Sequence, residues 1–444
     1  MKRIYLLIAT LILGLSGAVQ AQSQNEKNEI KVTNAQGVEE VIDLPEGMTT
    51  EIDSLLHLYH TKTYLKPDTS CNLPDINPIY EKEVYKDRLR RIPTIIEMPY
   101  NDVVQKFIDR YSNELRRSVS YMLGASNFYM TIFEQALEVY GLPLELKYLP
   151  VIESALNPSA VSRVGATGLW QFMLNTGKRY GLEVNSLVDE RRDPIKSSYA
   201  AAHYLSDLYK IFGDWNLVIA AYNAGPEKIT KAIHRAKGQA DYWQIYPYLP
   251  RETRGYVPAF IAANYIMTYY CEHNICPMMT DLPAKSDTVV VDRDFQFEQI
   301  SHVLGISIDQ LKELNPQYRQ NIVNGTTKPS ALRLPASLIT KFIDHEDSIL
   351  AYTSPVMLNK RVEVEVNEDV AEVSSPRKSK SSLKKSRGKR SRDRRSRRGK
   401  SVTVRSGDTL SEIAERNHTT VKKLKKLNKI SGNTIRAGKK LKVK

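Results

Sequence analysis

Glu153 is the residue of this chain whose setting points most directly to chemistry. It follows the apolar run Leu149-Pro150-Val151-Ile152 and precedes Ser154-Ala155-Leu156-Asn157-Pro158. Leu144, Tyr148, Val151, Ile152 and Ala155 fall on one helical face, and Pro158 disfavours helix at Asn157, so Glu153 is predicted in a last helical turn. The negative end of a helix dipole and apolar burial both penalise a carboxylate anion. A carboxyl kept protonated near neutral pH is a general acid. Three other clusters carry matching groups. Gly168-Leu169-Trp170-Gln171-Phe172-Met173 sets the Gln171 amide between apolar residues after a Gly-permitted turn. Ala221-Tyr222-Asn223-Ala224-Gly225-Pro226 ends a helix with a phenol and an amide, and Glu252-Thr253-Arg254-Gly255-Tyr256-Val257-Pro258 opens another with Tyr256. Each alone fits a satisfied core group; together they supply the donors and flat faces that sugar rings require.

These residues need a rigid frame, and the pattern predicts a helical one. Apolar residues recur at helical spacing through Val103, Val104, Phe107, Ile108 and Tyr111, and again through Ile132, Phe133, Ala136, Leu137 and Tyr140. Asp193-Pro194 reads as an N-cap and first turn before the stripe Ala200, Ala201, Tyr204, Leu205, Leu208, Ile211, Phe212, and Gly213-Asp214 ends that helix and caps the next. Trp170 and Trp215 read as core. Asp193 and Asp214 read as caps, and Asp189, Glu190, Asp207 and Glu227 as exposed acids. The expectation is an all-α lysozyme-like catalytic domain over 96–282, preceded by a polar, partly disordered extension at 22–95.

A unit of about forty residues then occurs twice in the order strand-helix-helix-strand. It spans 286–336, with strands at Val289 to Val291 and Leu332 to Leu334, and 401–444, with strands at Val402 to Val404 and Leu441 to Val443. Small α+β modules of βααβ order are therefore expected on either side of a linker over 337–400. The end of that linker, Arg377 to Lys400, holds fourteen Lys and Arg against Asp393 alone and has almost no apolar residue, so it cannot bury a core. The net charge of +14 comes from this run and the last module.

Met1 to Ala21 reads as a secretory signal, with Lys2 and Arg3 before an apolar run and Val19-Gln20-Ala21 before Gln22; an uncleaved anchor is the alternative. An exported, soluble protein of the periplasm or cell envelope follows, and a nucleic-acid partner for the basic run is excluded on that ground. An anionic envelope surface suits the run better, with a soluble spacer as the alternative. The first cysteine is Cys71, so no lipid-attachment cysteine stands at the cleavage point and the chain is not an obvious lipoprotein. Cys71, Cys271 and Cys276 allow one bridge, Cys271 with Cys276 leaving Cys71 over, or three buried thiols. The eight scattered histidines give no metal spacing, and no cofactor motif is present. A monomer is expected.

The segments "LPLELKYLPVIESALNPSAVSRVGATGLWQFM", "DERRDPIKSSYAAAHYLSDLYKIFGDWNLVIAAYNAGP" and "PRETRGYVPAFIAANYI" resemble the lytic transglycosylase family of the membrane-bound murein transglycosylase D type, across roughly Tyr100 to Tyr270. The C-terminal segment resembles a LysM module, with Gly407, Asp408, Thr409 and Leu410 as its turn, and LysM modules bind N-acetylglucosamine-containing glycans. Residues Asp287 to Pro335 resemble a degenerate LysM without that turn. The resemblance implies peptidoglycan glycan strands as substrate and partner, and Glu153 as both acid and base. Glu153 would protonate the oxygen between N-acetylmuramic acid and N-acetylglucosamine, then take the proton of the muramoyl 6-hydroxyl as that oxygen closes on C1. By the same resemblance Ser154 hydrogen-bonds near the acid, Gln171 and Asn223 contact N-acetyl groups or hydroxyls, and Tyr222 and Tyr256 orient Glu153 or line the cleft. The alternatives are a water-using muramidase and a wall-binding protein without catalysis.

Overall fold

The computed structural model describes residues 28–33, 37–49, 65–280, 283, 285–353, 401–403, 413–414, 419–428, 430 and 440–443, in two units, Met1–Pro376 and Arg377–Lys444. In the first unit helix formation follows from caps and stripes. The Asn101 side chain accepts from the Val104 amide at 2.9 Å and starts α1 (Asp102–Ser112), which buries Val103, Val104, Phe107, Ile108 and Tyr111. The long α2 (Arg116–Val139) follows, and then the short α3 (Leu149–Ser154) that carries Glu153. Asp193 accepts from the amides of Ile195 and Lys196 to start α4 (Pro194–Phe212), which Gly213 ends at φ 65°. Asp214 caps α5 (Trp215–Ala224) in the same way, accepting from the Leu217 amide at 2.8 Å.

At the centre lies α6 (Arg251–Thr268), buried on every face from Gly255 to Met267. A helix with no polar face must be wrapped by others. Phe107, Phe133, Trp170, Leu205 and Phe260, all fully buried, belong to one continuous core around it. The sequence offers a polar, aperiodic extension at 22–95, yet this segment enters the same core. Strands β1 (Glu29–Thr33) and β2 (Glu39–Asp43) pair antiparallel, and Val32, Ile42, Leu44, Met48, Tyr85 and Leu89 are buried among the helices.

Further along, β3 (Leu65–Pro67) pairs antiparallel with β4 (Met278–Thr280), Leu65 opposite Thr280 and Pro67 opposite Met278. This register carries the following chain past the end of α6 and brings Cys71 to Cys276, with which it forms the disulfide; Cys271 is free and exposed. The expected Cys271–Cys276 bridge is therefore corrected. A strand pairing across some two hundred residues decides the partner, and nothing near the cysteines in sequence reports it.

The module after the helical domain forms β5 (Ser286–Val291), β6 (Asp294–Gln296), α7 (Phe297–Leu304), α8 (Ile308–Leu314), β7 (Ile322–Asn324) and β8 (Ser330–Pro335). β5 and β8 pair antiparallel from Ser286 opposite Pro335 to Val291 opposite Ser330. Two more helices, α9 (Ile339–Asp344) and α10 (Glu346–Ala351), bury Phe342 and Ile349 in this module's core, so residues 337–351 belong to the module and not to the linker.

In the second unit β9 (Ser401–Thr403) pairs antiparallel with β10 (Lys440–Lys442), with α11 (Val421–Asn428) between them in sequence. Both repeats use the same clasp. Asn315 donates to the Arg333 carbonyl at 2.8 Å and accepts from its amide at 2.7 Å, and Asn428 does the same with Lys442 at the same distances. The signal sequence, the basic run at 377–400 and the Gly407 to Leu410 turn lie outside the described residues. Among the described residues no helix is long and apolar enough to cross a membrane.

Candidate active site

Helix α3 ends at Ser154, three residues before the position at which Pro158 would stop it. Ala155 (φ 49°) and Leu156 (φ 60°) are both left-handed, and their amides return to the carbonyls of Val151 and Pro150 at 3.2 Å. Two successive left-handed residues other than glycine cost roughly 1–2 kcal/mol each, which marks the turn as held by its surroundings. It leaves Glu153 in the last turn, half-buried, at the end of the helix whose dipole disfavours an anion.

Behind the acid stands a tight hairpin. Thr167 and Phe172 exchange both backbone hydrogen bonds at 3.1 Å around Gly168 to Gln171. Gly168 (φ 87°) is required there, because a Cβ would lie 1.9 Å from the Arg191 carbonyl. The buried Ser154 hydroxyl donates to the Leu169 carbonyl at 2.9 Å, and Tyr222 donates to the Trp170 carbonyl at 2.8 Å. These two residues thus tie α3 and α5 to the hairpin, with their hydroxyls directed at backbone. Gln171 (φ 46°) donates to the Gly168 carbonyl at 2.8 Å, while its buried Oε1 has no partner among the described residues. Asn223 accepts from the Thr253 hydroxyl at 2.9 Å and donates to Glu252 at 3.3 Å.

Tyr256 reaches Glu153 directly, its hydroxyl donating to Oε1. Its place in α6 depends on a repair to the helix. Pro258 has no amide to offer the Arg254 carbonyl, and the buried Tyr242 hydroxyl donates to that carbonyl at 2.7 Å in its stead. Burial pushes the Glu153 carboxyl up from 4.5 to about 8, the Tyr256 hydrogen bond opposes that rise, and the charges of Glu252 and Glu46 add to it. Burial also holds the Tyr222 and Tyr256 phenols well above their ordinary range, with the charge of Glu153 adding to it. A protonated acid flanked by phenols that stay protonated can deliver a proton and then recover one.

The sequence reading is corrected on two acids. Asp189 and Glu190 are buried, not exposed: Arg191 grips both oxygens of Asp189 at 2.8 and 2.9 Å, and Glu190 pairs with Lys196. Arg191 also donates to the carbonyls of Gly165 and Phe172, so this pair buttresses the hairpin behind the acid. Sequence reasoning missed Glu46 and Glu252 as neighbours of Glu153. With Asn28, Glu29, Asp43, Leu44, Thr49, Arg163 and Val164 they line a cleft of about 390 Å³. No sequence periodicity links Glu46 to a helix a hundred residues on. Among the described residues no group of His, Cys, Asp or Glu is arranged to hold a metal ion.

A helical domain with a carboxyl at a helix end, bonded to tyrosine and pushed toward its protonated form, has the kind of acid that cleavage of a glycosidic bond uses. Residues 130–245 match the Transglycosylase SLT domain, 285–351 the Lytic transglycosylase MltD, LysM-like domain, and 402–444 the LysM domain. The chain is 29% identical over 348 residues to the membrane-bound lytic murein transglycosylase D of Escherichia coli (strain K12), covering 78% of this chain and 69% of that protein. It is 33% identical over 124 residues to the soluble lytic murein transglycosylase of the same strain, covering 27% of this chain and 19% of that one. The crystal structure of the 70 kDa soluble lytic transglycosylase from Escherichia coli matches at 28% identity and a TM-score of 0.29, over 33% of this chain and 25% of that structure. The chain thus carries an SLT domain followed by an MltD-type LysM-like domain and a LysM domain, and it is similar to the lytic murein transglycosylases.

Proposed function

We propose that this protein cleaves the glycosidic bond between N-acetylmuramic acid and N-acetylglucosamine in peptidoglycan and leaves a 1,6-anhydro end. The observation that carries the reading is the Glu153 carboxyl in the last turn of its helix, bonded to Tyr256, with desolvation pushing it toward the protonated form. Glu153 gives its proton to the glycosidic oxygen as the bond to C1 breaks. The muramoyl 6-hydroxyl oxygen then closes on C1 and returns its proton to Glu153, so the acid ends as it began and no water is consumed. Holding the 6-hydroxyl within the same sugar supplies a proximity advantage that free water lacks. Gln171, whose Oε1 is left unpartnered, and Asn223 are assigned to the sugar's amide and hydroxyl groups. Ser154, Tyr222 and Tyr256 hold the machinery in place.

The LysM domain, with the Gly407 to Leu410 turn, keeps the enzyme on its insoluble polymer and raises the local substrate concentration. Export through Met1 to Ala21 places it in the cell envelope, where the basic run at 377–400 is drawn to anionic surface. A second reading rests on Glu46 and Glu252. Either carboxylate would activate water if it stood about 6.5–9.5 Å from Glu153 across the bound sugar. Digesting purified sacculi and weighing the muropeptides separates the readings: anhydro ends, lighter by one water, support the first; reducing ends support the second; no release means binding without catalysis.

A further inference from the structure

The N-terminal segment Glu39 to Thr49 lies well before the residues matched to the SLT domain, yet it packs, through glycines, against the residue that precedes each partner of the Glu153–Tyr256 pair. At the 3-10 turn Glu46–Met48, a Cβ on Gly47 would lie 2.5 Å from the carbonyl oxygen of Ile152 and 2.7 Å from that of Val151. Ile152 is the residue before Glu153. On the other side, a Cβ on Gly255 would lie 2.9 Å from the Asp43 carbonyl oxygen and 2.9 Å from the Ile42 side chain. Gly255 is the residue before Tyr256. The segment is anchored as it passes: Ile42 and Met48 are fully buried, and Arg254 pairs with Glu40 at 2.7 Å. Arg251 donates to the Val41 carbonyl at 3.0 Å and lies 3.6 Å and 3.7 Å from carboxylate oxygens of Glu29 and Asp43.

We propose that Glu39 to Thr49 is a positioning clamp for the reaction: wedged against α3 at Gly47 and α6 at Gly255, it sets the spacing that lets Tyr256 reach Glu153, and it places the Glu46 carboxylate in the wall of the cleft. Close packing makes such spacing discrete, since a methyl group has nowhere to go except by moving one of the two helices. The groups acting on Glu153 come from three elements, Tyr256 and Glu252 from α6, Tyr222 from α5 and Glu46 from the clamp. The inference rests on the reading of Glu153 as the acid.

Its test uses the full-length chain on purified sacculi, with Gly47→Ala, Gly255→Ala and Glu46→Gln beside Glu153→Gln as control. The clamp predicts that Gly47→Ala and Gly255→Ala each lower kcat by about tenfold or more with KM within about twofold, since a shift of an ångström costs geometry and not grip. A free α6 would be stabilised by Gly255→Ala; here Tm is expected to fall. Glu46→Gln, on a partly exposed side chain that a fold tolerates, removes a charge that opposes ionisation of Glu153. The alkaline limb of its pH profile moves to lower pH, an effect that a scaffold role would not produce. If either glycine variant fails to fold, this shift decides alone. Wild-type kcat in the folded glycine variants, or an unmoved limb in Glu46→Gln, overturns the clamp while an inactive Glu153→Gln leaves the functional reading standing. Full activity in Glu153→Gln overturns that reading itself.

Discussion

Tyr256 donates its hydroxyl to Oε1 of Glu153 across 103 residues of chain, and the Tyr256 side chain is held within the helical core. This bond joins the helix that presents the acid to the central helix of the domain. It also opposes the effect of burial, since a donor to the carboxylate favours its ionised form.

Removing the phenol therefore has two readable effects. Tyr256→Phe is expected to lower kcat by about 10–100-fold, the size of one hydrogen bond to a charged group. It should also move the alkaline limb of activity to higher pH, because the interaction that lowers the Glu153 pKa is gone. A pH series of kcat/KM on sacculi checks both.

The raised pKa of Glu153 is also a statement about stability. The unfolded chain releases this proton near 4.5 and the folded chain keeps it to about 8, so stability falls as pH rises through that window. Glu153→Gln abolishes the penalty. Its Tm is expected to match wild type near pH 4.5 and to exceed it at about pH 8.5, by a few kcal/mol at most in free energy. Equal Tm differences at both pH values would contradict a buried, protonated acid.

Glu252 separates ring closure from hydrolysis. As a neighbouring charge it only raises the Glu153 pKa, so Glu252→Gln should retain release of anhydro products with the alkaline limb shifted to lower pH. Loss of release with Glu153 intact would make Glu252 the base of a water-using reaction. Product masses and the pH profile of this variant decide the matter.

Reduction should unfasten the domain at one place. The Cys71–Cys276 bridge closes a loop with a sequence separation of 205 residues, for which chain entropy predicts a stabilisation of about 5 kcal/mol. Thermal melts with and without reductant are expected to differ strongly. Cys271→Ser, at an exposed free thiol, should change the melt by no more than about 0.5 kcal/mol.

The sequence made legible what is local. The caps at Asp193 and Asp214 and most of the stripe of α4 are written within a few residues of where they act, and the strand-helix-helix-strand repeat is readable from apolar spacing in the sequence. Glu153, Tyr222 and Tyr256 could be singled out because each stands at a recognisable helix end. Illegible were the relationships that need tertiary contact. Cys71 finds Cys276 through a strand pairing between distant segments. Asp189 looks like a surface acid until Arg191 folds back on it. The segment around Gly47 shows no periodicity, because its glycine serves the neighbouring backbone and not its own. Phe342 and Ile349, read as linker, acquire partners only once the preceding module has folded.

The central claim is that Glu153 alone runs both halves of an internal ring closure. Mass analysis of the muropeptides released from purified sacculi by the wild-type protein and by Glu153→Gln tests it most directly. The account predicts anhydro ends from the wild type and no release from the variant. Reducing ends from the wild type, or undiminished release from the variant, would contradict it.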